Sequence, residues 1–162
     1  MICAPLTAEA FAPFGDVLSA PETPGRRYFD NALENTAVAA RPSLSISHRL
    51  PIASLPLHVS ALERHPFSSQ TFLPLSGGRW IIVVCPSPDG GVPDVASARA
   101  FIARGSQGVT YRRGVWHHPI TVLDVPACHA VWMWRHNSEA DDEFVDVPPF
   151  SVELQPRGVQ HE

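Results

Sequence analysis

Lysine is absent from this chain, and all twelve of its basic residues are arginine. No Schiff base can therefore form on a lysine amine. Any fixed cation that grips an anionic ligand must be a guanidinium, which can do so bidentately. Cysteine is scarce as well: Cys3, Cys85 and Cys128 are an odd number, at spacings that suit neither a disulfide framework nor a zinc knuckle. Cys85 ends one apolar run and Cys128 lies in another, so both are expected as core thiols. No stretch approaches the roughly 20 apolar residues of a membrane span, and MICAPLTAEAF lacks the basic segment and apolar run of a secretory leader. A net charge of −4 offers no field to attract nucleic acid or an anionic membrane. These exclusions leave a soluble cytoplasmic protein, without nucleic-acid or membrane partners, as the expectation.

What is present suits one globular domain over residues 1–162, with 44% hydrophobic content supplying a full core. Seventeen prolines and ten glycines disfavour long helices and favour many short strands joined by turns. Thr7–Phe11 suits one helical turn capped by Thr7 and stopped before Pro13 and Gly15. Arg79–Cys85 is apolar and β-branched and should be a central strand. Ser43–Arg49 alternates, with Leu44, Ile46 and His48 on one face and Ser43, Ser45, Ser47 and Arg49 on the other; the small-polar face suits either a wet cavity or solvent. From Asp94 to Ala103 the pattern turns helical, with Asp94 as cap, Val95, Ala98, Phe101 and Ile102 on one face, and Gly105 as stop. Pro156–Glu162 should fray. The expected fold is mainly β, a single small antiparallel barrel or sandwich with one or two short helices.

Chemistry concentrates in Gln107–Pro119, QGVTYRRGVWHHP. Val109, Tyr111 and Arg113 alternate with Thr110 and Arg112, the period of a strand. Gly114 breaks it, as a glycine does at a bend, and Val115–Pro119 resumes an extended run. Titratable side chains on a strand beside a bend are well placed at the mouth of a barrel.

A second block completes the pattern. Two-motif cupin barrels carry H-x-H-x(3–4)-E-x(6)-G and then G-x-x-H; here Glu63, His65, Gln70 and Gly77 fall at the first spacing, and Gly114 and His117 at the second. Glutamate replaces the first histidine and glutamine replaces the glutamate. LERHPFSSQTFLPL, ARAFIARGSQGVTYRRGVWHHP and SISHR closely resemble the ureidoglycolate lyase family, from about Phe11 to Arg135. The resemblance implies a cupin-like, jelly-roll-type barrel, a homodimer, and a carbon–nitrogen lyase that splits a small anionic substrate, ureidoglycolate, into glyoxylate and urea during allantoin (purine) breakdown. It also brings in a divalent metal, with nickel the ion associated with the family.

Breaking that C–N bond needs a base for the substrate hydroxyl, an acid for the departing nitrogen and a cation for the carboxylate; positioned acid/base groups contribute about 10²–10⁴-fold each. His117 is the first candidate base, because it holds the second-motif position and an imidazole titrates near neutrality. His118 should point to the opposite face and serve behind the site or at an interface. Glu63 and His65 share strand parity, unless Leu57–Arg64 is a helix that leaves Glu63 in solvent. Gln70 can both donate to and accept from a ureido group, and Tyr111 can donate to a developing oxyanion or stand as a core aromatic. Arg49 leads the carboxylate-binding candidates, with Arg64 and Arg135 behind it. Trp116, Trp132 and Trp134 suit the core or a dimer interface. If a metal binds, its candidate ligands are Glu63, His65, Gln70 and His117, a mixed nitrogen/oxygen set. Two rival readings share the fold: another small-molecule cupin enzyme, such as a sugar isomerase or dioxygenase, and a non-catalytic small-ligand-binding cupin.

Overall fold

The computed structural model describes residues 1–88, 90–135 and 141–155. Pro156–Glu162, expected to fray, lies outside them. Twelve strands run through the described residues: β1 (Ala4–Pro5), β2 (Gly15–Leu18), β3 (Arg41–Arg49), β4 (Leu57–Arg64), β5 (Gln70–Ser76), β6 (Trp80–Cys85), β7 (Arg99–Ala103), β8 (Gly108–Tyr111), β9 (Trp116–His117), β10 (Thr121–Val122), β11 (Ala127–Arg135) and β12 (Glu143–Val152). One short helix, α1 (Ala8–Phe11), and a 3-10 turn at Val95–Ser97 accompany them. The Thr7 side chain caps α1 by accepting from Ala10 N–H, as expected. No helix among the described residues is long and apolar enough to cross a membrane.

The strands form two sheets, ordered β1-β7-β6-β9-β4-β12 with β10 also on β6, and β2-β8-β5-β11-β3. Taking β3 to β9 and β11 in chain order, one sheet holds the first, eighth, third and sixth, and the other the second, seventh, fourth and fifth. That is the double Greek key of a cupin-like jelly roll. The two ladders do not join among the described residues, so the sheets are held face to face by their side chains rather than by a closed ring of hydrogen bonds.

The apolar run of β6 explains where the core sits. Trp80, Ile82 and Val84 point into one cluster with Phe11, Phe72, Phe101, Tyr111 and Val131, between the sheets. Ile81, Val83 and Cys85 point into a second with Val59, Leu62, Trp116 and Val152, on the far side of the same sheet. A strand buried on both faces reads as a continuous apolar run, and each fully buried side chain of this size contributes about 1.5–3 kcal/mol.

Two expectations change, and the alternative left open on β3 is decided. The segment expected as a helix from Asp94 to Ala103 is a 3-10 turn followed by β7, which pairs with β6 over five rungs, Val84↔Arg99 to Trp80↔Ala103, and with β1. Ala100, Phe101 and Ala103 are all buried, so both faces are apolar and the two-residue alternation is erased. A short apolar run of this kind cannot be told from a helix by periodicity, and the open edge of β6 decides it. Cys128 is only partly buried, on the outer side of β11, whereas Cys85 is a core thiol as expected; all three cysteines are free. On β3 the serine side turns inward: Ser43 and Ser47 are partly buried, while Leu44 and Ile46 are 63% and 60% exposed.

One core residue carries a cost. His129 is 1% exposed and packs edge-on against Trp80, ring centroids 5.2 Å apart. Neither ring nitrogen has a hydrogen-bond partner, and burial holds its pKa below the usual imidazole value. Above about pH 6.5 the ring is neutral whether folded or unfolded. Below that, the unfolded chain takes up a proton that the buried ring resists, so stability falls with pH until the lower folded pKa is passed. His129→Phe should therefore reduce the loss of Tm between about pH 7.5 and pH 5, by roughly 2–4 °C for each kcal/mol of penalty removed. Thermal melts of both proteins across that range check it; parallel curves would assign the acid sensitivity to other groups.

Candidate active site

The site is set by one rung. Glu63, next to last in β4, lies directly opposite His117 of β9, and His117 is held on its other side by Val84 of β6. Leu57–Arg64 is thus a strand and not a helix, and Glu63 and His65 share the inner side of the sheet. Gly114, at φ +75°, makes the bend before β9 in a backbone region that glycine enters without a steric cost. Its N–H donates to the His65 carbonyl at 2.7 Å, tying the bend to the end of β4.

Both histidines are oriented from behind. The Nδ1–H of His117 donates to the Val115 carbonyl at 2.9 Å. The Nδ1–H of His65 donates to the Asp141 carbonyl at 2.9 Å and lies 3.0 Å from the Asp142 carboxylate. A carbonyl can only accept, so each Nδ1 carries a proton and each Nε2 is turned toward the site. Asp141 is itself fixed: one carboxylate oxygen accepts from Phe67 N–H at 2.6 Å and the other from the Ser68 hydroxyl.

Four polar groups then converge. His117 Nε2 lies 3.3 Å from Glu63 Oε1 and 3.1 Å from Gln70 Oε1, while His65 Nε2 is buried with no partner among the described residues. Ligand atoms of Glu63, His65 and His117 all lie within 4.8 Å of one another. Tyr111 stacks on the His117 ring, centroids 4.2 Å apart and 13° from parallel, and the Gln70 amide reaches the Met133 sulfur at 3.8 Å. Burial pushes the Glu63 carboxyl up, but the His117 hydrogen bond and the charges of His117, His65 and His118 outweigh it and hold the group below the usual carboxylate range. Burial, helped by Glu63, drives the Tyr111 phenol far up, so it remains a protonated donor.

The remaining candidates fall elsewhere. His118 points away, its Nδ1–H on the Pro119 carbonyl at 2.9 Å, and burial lowers its pKa; it acts on Glu63 only through its charge. Arg64 lies on the opposite side of β4 from Glu63 and His65. It binds Glu143 at 2.6 Å and the Gly90 and Gly91 carbonyls, and covers the Trp116 ring at 4.5 Å. In this position it clamps the end of β4 to Glu143 of β12 and to the Gly90–Gly91 carbonyls. Trp116 is a core residue, whereas Trp132 is 37% exposed. Arg49 is also misplaced: Gln70 pairs with Met133, Met133 with Ser43, and Arg49 with Ala127. Six residues of β3 separate Arg49 from the site's rung, or about 20 Å along the strand. Arg135 stands two residues beyond Met133 on the same side of β11, and its ladder partner is Arg41. Arg41 escaped the sequence reading, although it shares the parity of Ser43 and Arg49 and so sits at the other end of the small-polar face. Asp141 and Asp142 escaped it too, because nothing local marks an acidic pair as a histidine's support.

The donor set fits a divalent cation. Two imidazole nitrogens and one carboxylate oxygen suit a borderline first-row metal, each histidine has its second nitrogen anchored in the manner usual for metal ligands, and the buried His65 Nε2 is otherwise unsatisfied.

A family model described as ureidoglycolate lyase matches residues 1–153. A putative ureidoglycolate lyase of Agrobacterium fabrum is 40% identical over 151 residues, 93% of each chain. The ureidoglycolate lyase of Pseudomonas fluorescens is 43% identical over 131 residues, 74% of this chain and 75% of its own. Among solved structures, a dTDP sugar isomerase from Desulfovibrio desulfuricans aligns with 83% of this chain and 82% of its own, at 14% identity and a TM-score of 0.48.

The anchoring bonds are directly observable. Long-range ¹H–¹⁵N spectra of the apo protein should show His65 and His117 protonated at Nδ1, and ¹³C titration should place the Glu63 carboxyl below the solvent-exposed glutamates. An Nε2-only tautomer at either histidine would break the arrangement.

Proposed function

We infer that this chain, which belongs to the ureidoglycolate lyase family, cleaves ureidoglycolate to glyoxylate and urea at the Glu63–His65–His117 cluster. The observation that carries this reading is the convergence of two anchored imidazoles, a carboxylate and an amide oxygen on one point inside the jelly roll. The substrate's central carbon bears a hydroxyl, a carboxylate and a ureido nitrogen. His117 Nε2 takes the hydroxyl proton, the O–H pair becomes the C=O bond of glyoxylate, and the C–N pair leaves with urea. The proton on His117 passes to that nitrogen, so no water is consumed. The Val115 carbonyl and Glu63 stabilise the imidazolium between the two transfers. Gln70 orients the ureido group, and neutral Tyr111 holds the His117 ring in plane. Arg135 and Arg41, paired at the rim two residues from Met133, grip the carboxylate.

The unpartnered His65 Nε2 supports a second reading. Glu63, His65 and His117 would hold a divalent ion, nickel being the family's candidate, which when bound supplies Lewis acidity toward the substrate's hydroxyl and carboxylate. The two readings exclude each other at His117 Nε2, so chelation separates them.

We further propose that residues 1–162 act as one domain in the cytoplasm, where free Cys3, Cys85 and Cys128 suit a reducing compartment, and that the reaction belongs to allantoin (purine) breakdown. We also propose a homodimer through the outer side of the β3–β11–β5 sheet. Leu44, Ile46, Leu73 and Trp132 are exposed there together, and one edge of β3 has no partner strand among the described residues.

Incubation with ureidoglycolate, with urea and glyoxylate measured separately, tests the activity; binding without turnover would favour a non-catalytic cupin. His117→Asn should lower kcat/KM by about 10²–10⁴-fold. Arg135→Ala and Arg41→Ala should mainly raise KM, while Arg49→Ala should leave both constants near wild type; an Arg49 effect matching that of Arg135 would overturn the rim assignment. Activity that survives exhaustive chelation keeps the proton on His117, whereas loss of activity with recovery on adding nickel favours the ion. For the dimer, Ile46→Arg should halve the mass measured by light scattering, and an unchanged mass would place the interface elsewhere.

A further inference from the structure

We propose a second anion site, apart from the catalytic cluster, in the cleft of about 740 Å³ between the loop after β6 and the Arg112–Val115 bend. Arg64, Arg99, Arg112 and Arg113 line it, and Glu34 is the sole acidic side chain among its described lining residues. Two of the four guanidinium groups are compensated: Arg113 pairs with Glu34 at 2.8 Å and Arg64 with Glu143 at 2.6 Å. Among the described residues the other two meet only backbone carbonyls, Arg112 that of Asn31 at 2.8 Å and Arg99 that of Ala10 at 3.4 Å. A carbonyl fixes a guanidinium without cancelling its charge, so two cations with no acidic partner among the described residues face one hollow.

A separate observation marks the same wall. The Ser87 hydroxyl, which belongs to a lining residue, is buried without a hydrogen-bond partner among the described residues. An anion oxygen would satisfy this donor and accept the guanidinium forks at the same time. The volume falls in the usual range for small-molecule sites and is large for glyoxylate. Two free cations and a hydroxyl therefore point to a small multiply charged anion, carried on two carboxylates or one phosphate.

Glu63, His65, Gln70 and His117 do not line this cleft, but Gly114 and Val115 do. Those two residues hold the His65 carbonyl and His117 Nδ1 from behind. An anion seated on Arg112 thus rests against the back of the bend that orients the catalytic imidazole.

The site is tested by binding alone and does not depend on the lyase reading. Titrating the intact protein with succinate or inorganic phosphate, against sodium chloride at matched ionic strength, and following the Gly114 amide and the arginine Nε–H signals should give saturable shifts. The stronger probe tells carboxylate from phosphate ligands. Arg99→Gln should weaken that probe by about tenfold, the scale of one lost charge-assisted contact, and Ser87→Ala should weaken it less. His117→Asn should leave it bound, and glyoxylate should not displace it. No saturable shift from either probe, unchanged affinity in Arg99→Gln, or displacement by glyoxylate would overturn the proposal.

Discussion

A two-residue strand holds the chemistry of this protein in place. β9 contributes one rung to β4, Glu63 opposite His117, and two to β6, at Val84 and Cys85. So short a segment cannot hold its register by ladder bonds alone. Register comes from Trp116, which is 4% exposed, donates its indole N–H to the Gly91 carbonyl at 2.9 Å, and carries the Arg64 guanidinium on its face. Because successive side chains on a strand point to opposite sides, burying Trp116 in the outer cluster turns His117 inward. A slip of one residue would exchange the two and abolish the site.

From this constraint the electrostatics follow. Glu63 meets two opposed influences, burial that favours the neutral acid and imidazole partners that favour the carboxylate, and the partners win. Tyr111, against the same histidine but without a cationic partner, is driven the other way by burial. Two acidic groups around one imidazole thus take opposite protonation states, a separation that assigns an acceptor and a donor to fixed positions.

Much of this was legible in the sequence, and the misses have physical causes. The β6 run, the alternation of β3, the Thr7 cap and the bend at Gly114 are local signals, and each forms as read. So does the shared parity of Glu63 and His65, once Leu57–Arg64 is extended. Arg99–Ala103 was misread because a strand buried on both faces carries no alternation. Arg49 ends a polar face, but the face has two ends, and the ladder from Gln70 through Met133 to Ser43 puts Arg41 nearer the Gln70 rung than Arg49. Arg64 differs by one position from Glu63, and one position on a strand is the other side of the sheet. Asp141 and Asp142 support His65 from far along the chain, a contact with no trace in local pattern. The lyase assignment rested on resemblance and could not have come from composition.

The convergence on His117 has a direction. Its Nδ1 proton is held by a carbonyl, its Nε2 faces the Glu63 and Gln70 oxygens, and the Tyr111 ring lies parallel to it at 4.2 Å. Each contact turns negative potential toward the ring: the carbonyl oxygen, the carboxylate, and the face of the phenol. The cluster is thus complementary to a cation at one point, whether a proton in transit or an ion at rest. In the reaction proposed above, a base at this point would gain its charge among groups that need not move.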